Sequence, residues 1–152
     1  MPALSPDGGG LAEPVLFAYG TLRFAEVVEA LLGRRPAMTS GAVPGWRAAA
    51  LRGRSYPGLV PAAADVLCPG TCLRGLTRAE RELLDLFEGE PYEPRDVPLA
   101  EGGRAVAYLW RSPAEVETGD WDIAVFEAEH LAGFIDHCLE WRRQVDVPRP
   151  PR

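Results

Sequence analysis

The chain has 152 residues, 47% hydrophobic and 25% charged, the composition of one globular domain with apolar content for a single sizeable core. Its 16 basic and 22 acidic residues leave a net charge of −6, and the basic ones form no run or stripe, so nucleic acid is not an expected partner. No apolar segment approaches membrane-spanning length and no basic region followed by an apolar stretch marks a secretory signal; no membrane association is expected, and the cytoplasm is the expected location.

Taken in chain order, residues 1–14 carry three Pro and the run Gly8-Gly9-Gly10, which predicts a flexible tail over 1–13. Val15-Leu16-Phe17-Ala18-Tyr19 is an unbroken apolar run, fit for a strand buried on both faces. Gly20 permits a turn; Val27, Val28, Leu31 and Leu32 then give residues 23–32 helical spacing, closed by Gly33. Strands are predicted over 37–43, 48–51, 58–60 and 66–73, and Pro44, Pro57, Pro61 and Pro69 make them short and bent, as in a small irregular barrel. Cys68 and Cys72 share a face of the last of these and read as small core residues. With Cys138 they make three cysteines without disulfide spacing, which fits a reducing compartment.

Thr77-Arg78-Ala79-Glu80 is a capping box, the Thr hydroxyl meeting an orphan N–H and the Glu reaching back. The helix behind it buries Leu83, Leu84 and Phe87, and Gly89 lets the chain leave in a left-handed conformation. Strands over 96–99 and 105–110 are joined by Glu101-Gly102-Gly103. Residues 111–120 carry no pattern that places them. A final helix over 123–142, N-capped by Asp122, sets Phe126, His130, Leu131, Phe134, Ile135, Cys138 and Trp141 on one stripe. Residues 146–152, rich in Pro and Arg, predict a second flexible tail, so the folded domain spans 14–145. Strands clustered mid-chain with helices around them give the α+β class.

Two segments could carry chemistry. In Tyr19-Gly20-Thr21-Leu22, a strand ending at a Gly turn before a helix turns successive backbone N–H groups outward at a positive dipole end, a site suited to a carboxylate. Strand–Gly–helix turns are also common as plain structure, and the local sequence does not decide between the two. In Leu84-Asp85-Leu86-Phe87-Glu88-Gly89, Glu88 is either an exposed acid beyond a helix end or, turned toward Leu84 and Phe87, a desolvated carboxyl with the raised pKa a proton shuttle needs. Asp85 falls on the opposite side of that helix from Leu83 and Phe87, and Glu90 sits in the turn. Tyr56, amid the turn formers of 53–61, either lines a pocket or caps the core. Tyr92 and Arg95 follow the Glu88 loop and could bring a hydroxyl and a cation to the same cleft; Arg95 could equally pair with Glu93 or Asp96. His130 and His137 are two turns apart with nothing between them to complete a metal site, and no nucleophile elbow, phosphate loop or dinucleotide fingerprint is present.

The motifs YGTLR at 19–23, GRSYPGLVP at 53–61, GLTRAERELLDLFEGEPYEPRDV at 75–97, AYLW at 107–110 and GDWDIAVFEAEHLAGFI at 119–135 occur in one order. Through them the chain resembles the γ-glutamylcyclotransferase-like superfamily, most closely its branch of plant avirulence-induced and bacterial homologues. The resemblance implies a small mixed β-barrel with flanking helices, a YGTL loop (Tyr19, Gly20, Thr21, Leu22) lining the substrate cavity, and Glu88 as general acid/base. It further implies a small-molecule γ-glutamyl substrate, release of 5-oxoproline by attack of the substrate's own α-amine, and no metal or organic cofactor. Pro94 departs from the polar or basic residue that relatives carry between Tyr92 and Arg95. A non-catalytic binding or regulatory module that keeps the cavity is the alternative reading, and a tailoring enzyme that removes a γ-glutamyl protecting group is a third.

Overall fold

The computed structural model describes residues 13–146, so the tails expected over 1–13 and 146–152 lie outside the described residues, Glu13 and the last residue of the final helix apart. Eight strands form one mixed sheet: β1 (Leu16–Ala18), β2 (Ala37–Pro44), β3 (Trp46–Leu51), β4 (Gly58–Pro61), β5 (Leu67–Arg74), β6 (Tyr92–Pro98), β7 (Arg104–Trp110) and β8 (Val116–Asp120). Four α-helices accompany them: α1 (Ala25–Leu32), α2 (Arg78–Glu88), α3 (Ile123–Glu129) and α4 (Leu131–Asp146). The α+β class is therefore observed.

Hydrogen bonding runs β2-β5-β1-β7-β4-β3-β8, with β6 on the other side of β7. β7 is the branch point. It pairs antiparallel with β6 along its whole length, and parallel with β1 at Leu16↔Val106 and with β4 at Leu59↔Leu109. Two parallel neighbours thus share one edge of β7 end to end, and the chain turns away from the sheet where β1 stops and β4 begins.

Alternation sorts the two central strands onto two cores. Leu16 and Ala18 of β1, with Tyr108 of β7, join Val27, Leu31, Leu84, Phe126 and Cys138 under the helices. Phe17 and Tyr19, with Ala105, Ala107 and Leu109, join Val43, Leu59, Cys68, Cys72 and Val97 on the other face. Both faces are buried, which is why these strands are unbroken apolar runs. Val43 of β2 and Leu59 of β4 meet in one cluster although three strands separate them, so the sheet curls around that cluster. It does not close: no pairing joins β2 to β8, and the expected barrel is an open, curled sheet.

Two local expectations are corrected and one unplaced segment gains its place. The final helix is broken at His130, whose φ of −127° leaves the helical region. Phe126 and Leu131 are five residues apart, about 140° around a continuous helix; the break resets the phase so that both reach the core. Residues 116–120 form strand β8, which shows no apolar alternation because it is a mostly exposed edge paired with β3 and clasped by Arg47, whose guanidinium donates to Asp120 Oδ1 (2.9 Å) and Glu117 O (2.8 Å). β6 begins at Tyr92, four residues early, and accommodates Pro94 because it pairs with β7 alone. Among the described residues, no helix is long and apolar enough to cross a membrane.

Candidate functional site

The branch at β7 determines where a cavity forms. Where β1 ends, Gly20 N-caps a single 3-10 turn over Thr21–Arg23, which diverts the chain into α1. The gap under this turn is roofed by the C-terminal end of α2 and one side of α4, enclosing about 190 Å3. One wall is the segment 17–22 with Tyr56 and Pro57; the other is Phe87, Glu88, Pro91 and Tyr92, with Phe134, His137 and Trp141 from α4; Tyr108 contributes from β7.

Gly20 is required by close approach. A Cβ there would stand 2.8 Å from Pro57 Cγ and 3.0 Å from Cδ, so any side chain would push the turn off the β4 entry. Within the turn, Arg23 N–H donates to Gly20 O (3.0 Å) and Phe24 N–H to Thr21 O (3.2 Å). The N–H groups of Gly20, Thr21 and Leu22, at the open start, have no backbone acceptor among the described residues. These are the orphan donors of a helix start.

Tyrosine hydroxyls brace the walls. Tyr19 OH donates to Tyr108 O (2.5 Å), and Tyr92 OH donates to Pro57 O (2.9 Å), tying the Glu88 loop to the opposite wall. Tyr108 OH donates to Asp85 Oδ1 (2.5 Å), which also accepts from Arg81 Nε (3.0 Å). Burial first holds Tyr19, Tyr92 and Tyr108 far above the usual phenol range, with Glu88 next for Tyr19, the Tyr19 phenol and then Glu88 for Tyr92, and Asp85 for Tyr108, so all three stay neutral donors. The Tyr56 hydroxyl instead accepts from Arg54 Nη1 (2.6 Å) and keeps its own hydrogen to give.

Glu88 is the last residue of α2 and turns into the cavity. The residue is half-buried, its carboxyl opens onto the cavity, and it has no hydrogen-bond or ion-pair partner among the described residues. Desolvation, with the Asp85 carboxylate one turn away as the smaller cause, pushes it up to about 8. Cys138 behind it is pushed up to about 12 by burial and then by Glu88, and stays an inert thiol. Gly89 leaves α2 at φ 75°, ψ −167°; this positive-φ but extended exit, in place of the expected left-handed one, returns the chain along the cavity toward Tyr92.

The structure brings Tyr19, Gly20, Thr21, Leu22, Tyr56, Glu88 and Tyr92 around one cavity. It does not bring Arg95 there. Arg95 stands three residues beyond Tyr92 on a regular strand, hence on the opposite face, exposed and 3.6 Å from Glu93. Asp85, on the far side of α2 from Leu83 and Phe87, meets the Tyr108 hydroxyl and the Arg81 guanidinium. Sequence reading also missed Phe134, His137 and Trp141, whose i, i+3, i+7 spacing reads as core; the polar His137 within that stripe was the available sign that the face is wet. His130 and His137 complete no metal site, and no group of three or more His, Cys, Asp or Glu among the described residues could hold one.

Comparison with known proteins places this geometry. The family model described as gamma-glutamyl cyclotransferase, AIG2-like, matches residues 16–123. AIG2-like protein D of Arabidopsis thaliana is 30% identical over 141 residues, covering 88% of this chain and 92% of its own. AIG2-like protein A of the same plant is 31% identical over 127 residues, 80% of this chain and 76% of its own. A solution structure of an Arabidopsis thaliana protein superposes with a TM-score of 0.64 at 27% identity, over 94% of this chain and 99% of that one. A solved gamma-glutamyl cyclotransferase shares the fold, with a TM-score of 0.55 at 14% identity over 91% of this chain and 89% of that one.

Proposed function

The chain belongs to the gamma-glutamyl cyclotransferase, AIG2-like family, and we propose from that premise that it releases 5-oxoproline and an amine from a γ-glutamyl amide. The observation that carries the reading is the Glu88 carboxyl, pushed up to about 8 by burial and left without a protein partner in a cavity it shares with the Gly20 turn. A group poised near neutrality can both take and give a proton at working pH.

The substrate's α-nitrogen arrives as an ammonium and cannot attack. Glu88, as carboxylate, takes one proton and frees the amine, which attacks the γ-carbonyl carbon. The new C–N bond closes the five-membered ring, the old amide C–N bond breaks, and Glu88, now the carboxylic acid, protonates the departing nitrogen. The second proton shed by the ring nitrogen completes the departing ammonium, so no water is consumed. The N–H groups of Gly20, Thr21 and Leu22 hold the α-carboxylate or the developing oxyanion, and Tyr56 adds a hydroxyl donor. Because nucleophile and electrophile belong to one molecule, the protein chiefly folds the substrate into a reactive shape.

Glu88→Gln removes the proton carrier and keeps the shape. It is expected to lower 5-oxoproline release by about 10²–10⁴-fold while substrate binding, read by calorimetry, persists. Full turnover by that variant takes Glu88 out of the mechanism. No 5-oxoproline from any γ-glutamyl amide with the unaltered protein, together with a ligand-induced thermal shift, would make the cavity that of a non-catalytic binding module.

A further inference from the structure

The two walls of the cavity differ in chemistry, and the difference concerns the departing half of the substrate. Phe87 meets Trp141 edge-on at 5.0 Å and 76°, and Phe134 at 6.1 Å and 82°. His137 lies 6.2 Å from Phe87 and 6.0 Å from Phe134, completing a four-ring frame. Phe87, Phe134 and Trp141 are half-buried and His137 exposed, so the frame packs against the helical core on one side and faces the cavity on the other. Edge-to-face packing holds such rings in fixed orientations and leaves faces free for another ring. Three of the four come from α4, beyond residues 16–123 that the family model matches, whereas Glu88 and the Gly20 turn lie within them.

Charge is the second observation. Among the described residues no Lys or Arg lines the cavity, and Glu88 is its one carboxyl. Arg54 stands at the rim, where it donates to the Tyr56 hydroxyl and lies over the Tyr56 ring, and it is paired with Glu115 Oε1 at 2.9 Å. The amide donors of the turn belong, in the reading above, to the glutamyl half. A leaving group that carried its own carboxylate would therefore be desolvated against aromatic rings, near Glu88, with no lining Lys or Arg among the described residues to meet it and the rim Arg54 already paired with Glu115.

We propose that Phe87, Phe134, His137 and Trp141 form the subsite for the leaving amine, and that it selects γ-glutamyl amides of uncharged aromatic amines over γ-glutamyl amino acids. The inference rests on the cyclotransferase reading and deepens it by naming the substrate class. The step is unchanged: the amide C–N bond breaks as the lactam bond forms, and the aromatic amine departs with the protons shed by the α-nitrogen.

The test compares three amides that share the glutamyl half: the phenethylamide, γ-glutamylphenylalanine, which adds only a carboxylate, and the methylamide, which lacks the ring. The kcat/KM for 5-oxoproline release is expected to be about tenfold or more higher for the phenethylamide than for either of the others. Trp141→Ala, and separately Phe134→Leu, which keeps apolar volume, are expected to cut the phenethylamide-to-methylamide ratio by about tenfold, mainly through KM. Turnover with γ-glutamylphenylalanine equal to or above the phenethylamide overturns the subsite and leaves the cyclotransferase reading standing. Absence of 5-oxoproline from all three overturns that reading instead. Calorimetry on Glu88→Gln then decides the subsite: tighter binding of the phenethylamide than of γ-glutamylphenylalanine supports it, and the reverse or equal order removes it.

Discussion

At the scale of single residues, Glu88 opposes stability and activity in a way that pH can separate. Its folded pKa of about 8 lies above the ordinary carboxyl value of 4.5, so between those pH values the folded state holds a proton that the unfolded chain releases. Folding stability from this group is intact below 4.5, falls as pH rises, and levels off above about 8. Glu88→Gln, neutral throughout, is expected to match the parent near pH 4 and to exceed it at pH 9 by at most about 4–5 kcal/mol, reduced to the extent that water in the cavity screens the half-buried carboxylate. Paired urea melts across that range read the difference; a constant offset would mean the carboxyl is not desolvated. The catalytic limb has the opposite sense. Only the carboxylate accepts a proton, so kcat/KM is expected to rise with pH toward a plateau above about 8. Gly20 is the other residue whose role is steric. Gly20→Ala meets the Pro57 ring, which cannot swing aside because its carbonyl holds Tyr92, and should destabilise by about 1–3 kcal/mol and slow turnover. The local sequence left both open, an anion-binding or a plain turn at Gly20 and an exposed or an inward acid at Glu88, and only the resemblance along the whole chain singled them out. Of the alternatives given for Arg95, the pairing with Glu93 two residues away is the one that forms, whereas the Asp85 contact with Tyr108 of β7 could not be read, because nothing near Asp85 in sequence encodes that neighbour.

At the scale of elements, what could be read follows the range of the interaction. The α2 capping box is closed within four residues, and both halves form, Glu80 N–H to Thr77 Oγ1 (3.1 Å) and Thr77 N–H to Glu80 Oε1 (2.9 Å). Gly33 and Asp122 likewise close α1 and start α3 as their local sequence dictates. Glu80 does more than cap: it takes two hydrogen bonds from Arg34, both 2.6 Å, so the start of α2 is tied to the segment after α1. Thr77→Ala is therefore expected to cost about 1 kcal/mol in denaturant melts, with kcat/KM little changed because Glu88 lies at the other end of α2. Glu80→Gln should cost more at pH 7, since it weakens the cap and the Arg34 pair together. The break at His130 and the strand β8 escape such reading for one reason. Each answers a distant demand, Phe126 reaching the core in the first case and the β3 edge in the second.

At the scale of the whole molecule, the site exists because the sheet branches. β7 lends one edge to β1 and then to β4, and the chain diverted at that junction supplies the Gly20 turn, while the α2 and α4 helices close the space beneath. Periodicity announces that β1 and β7 are buried on both faces but is silent about which strands share an edge, so the open, branched sheet could not be distinguished from a barrel. One side chain spans the junction. Tyr19 is buried, its hydroxyl donating to Tyr108 O of β7 at 2.5 Å, and it immediately precedes Gly20. Tyr19→Phe keeps the ring and removes only this bond, so stability should fall by about 1–2 kcal/mol with an unchanged denaturant slope. Because the bond anchors the start of the amide turn, kcat should fall as well, while the acid limb set by Glu88 stays near its parent value. If instead the melt is unaltered and the acid limb moves by a full pH unit, Tyr19 acts on the proton carrier and not on the junction. The branched edge would then need another explanation for how it holds the turn in place.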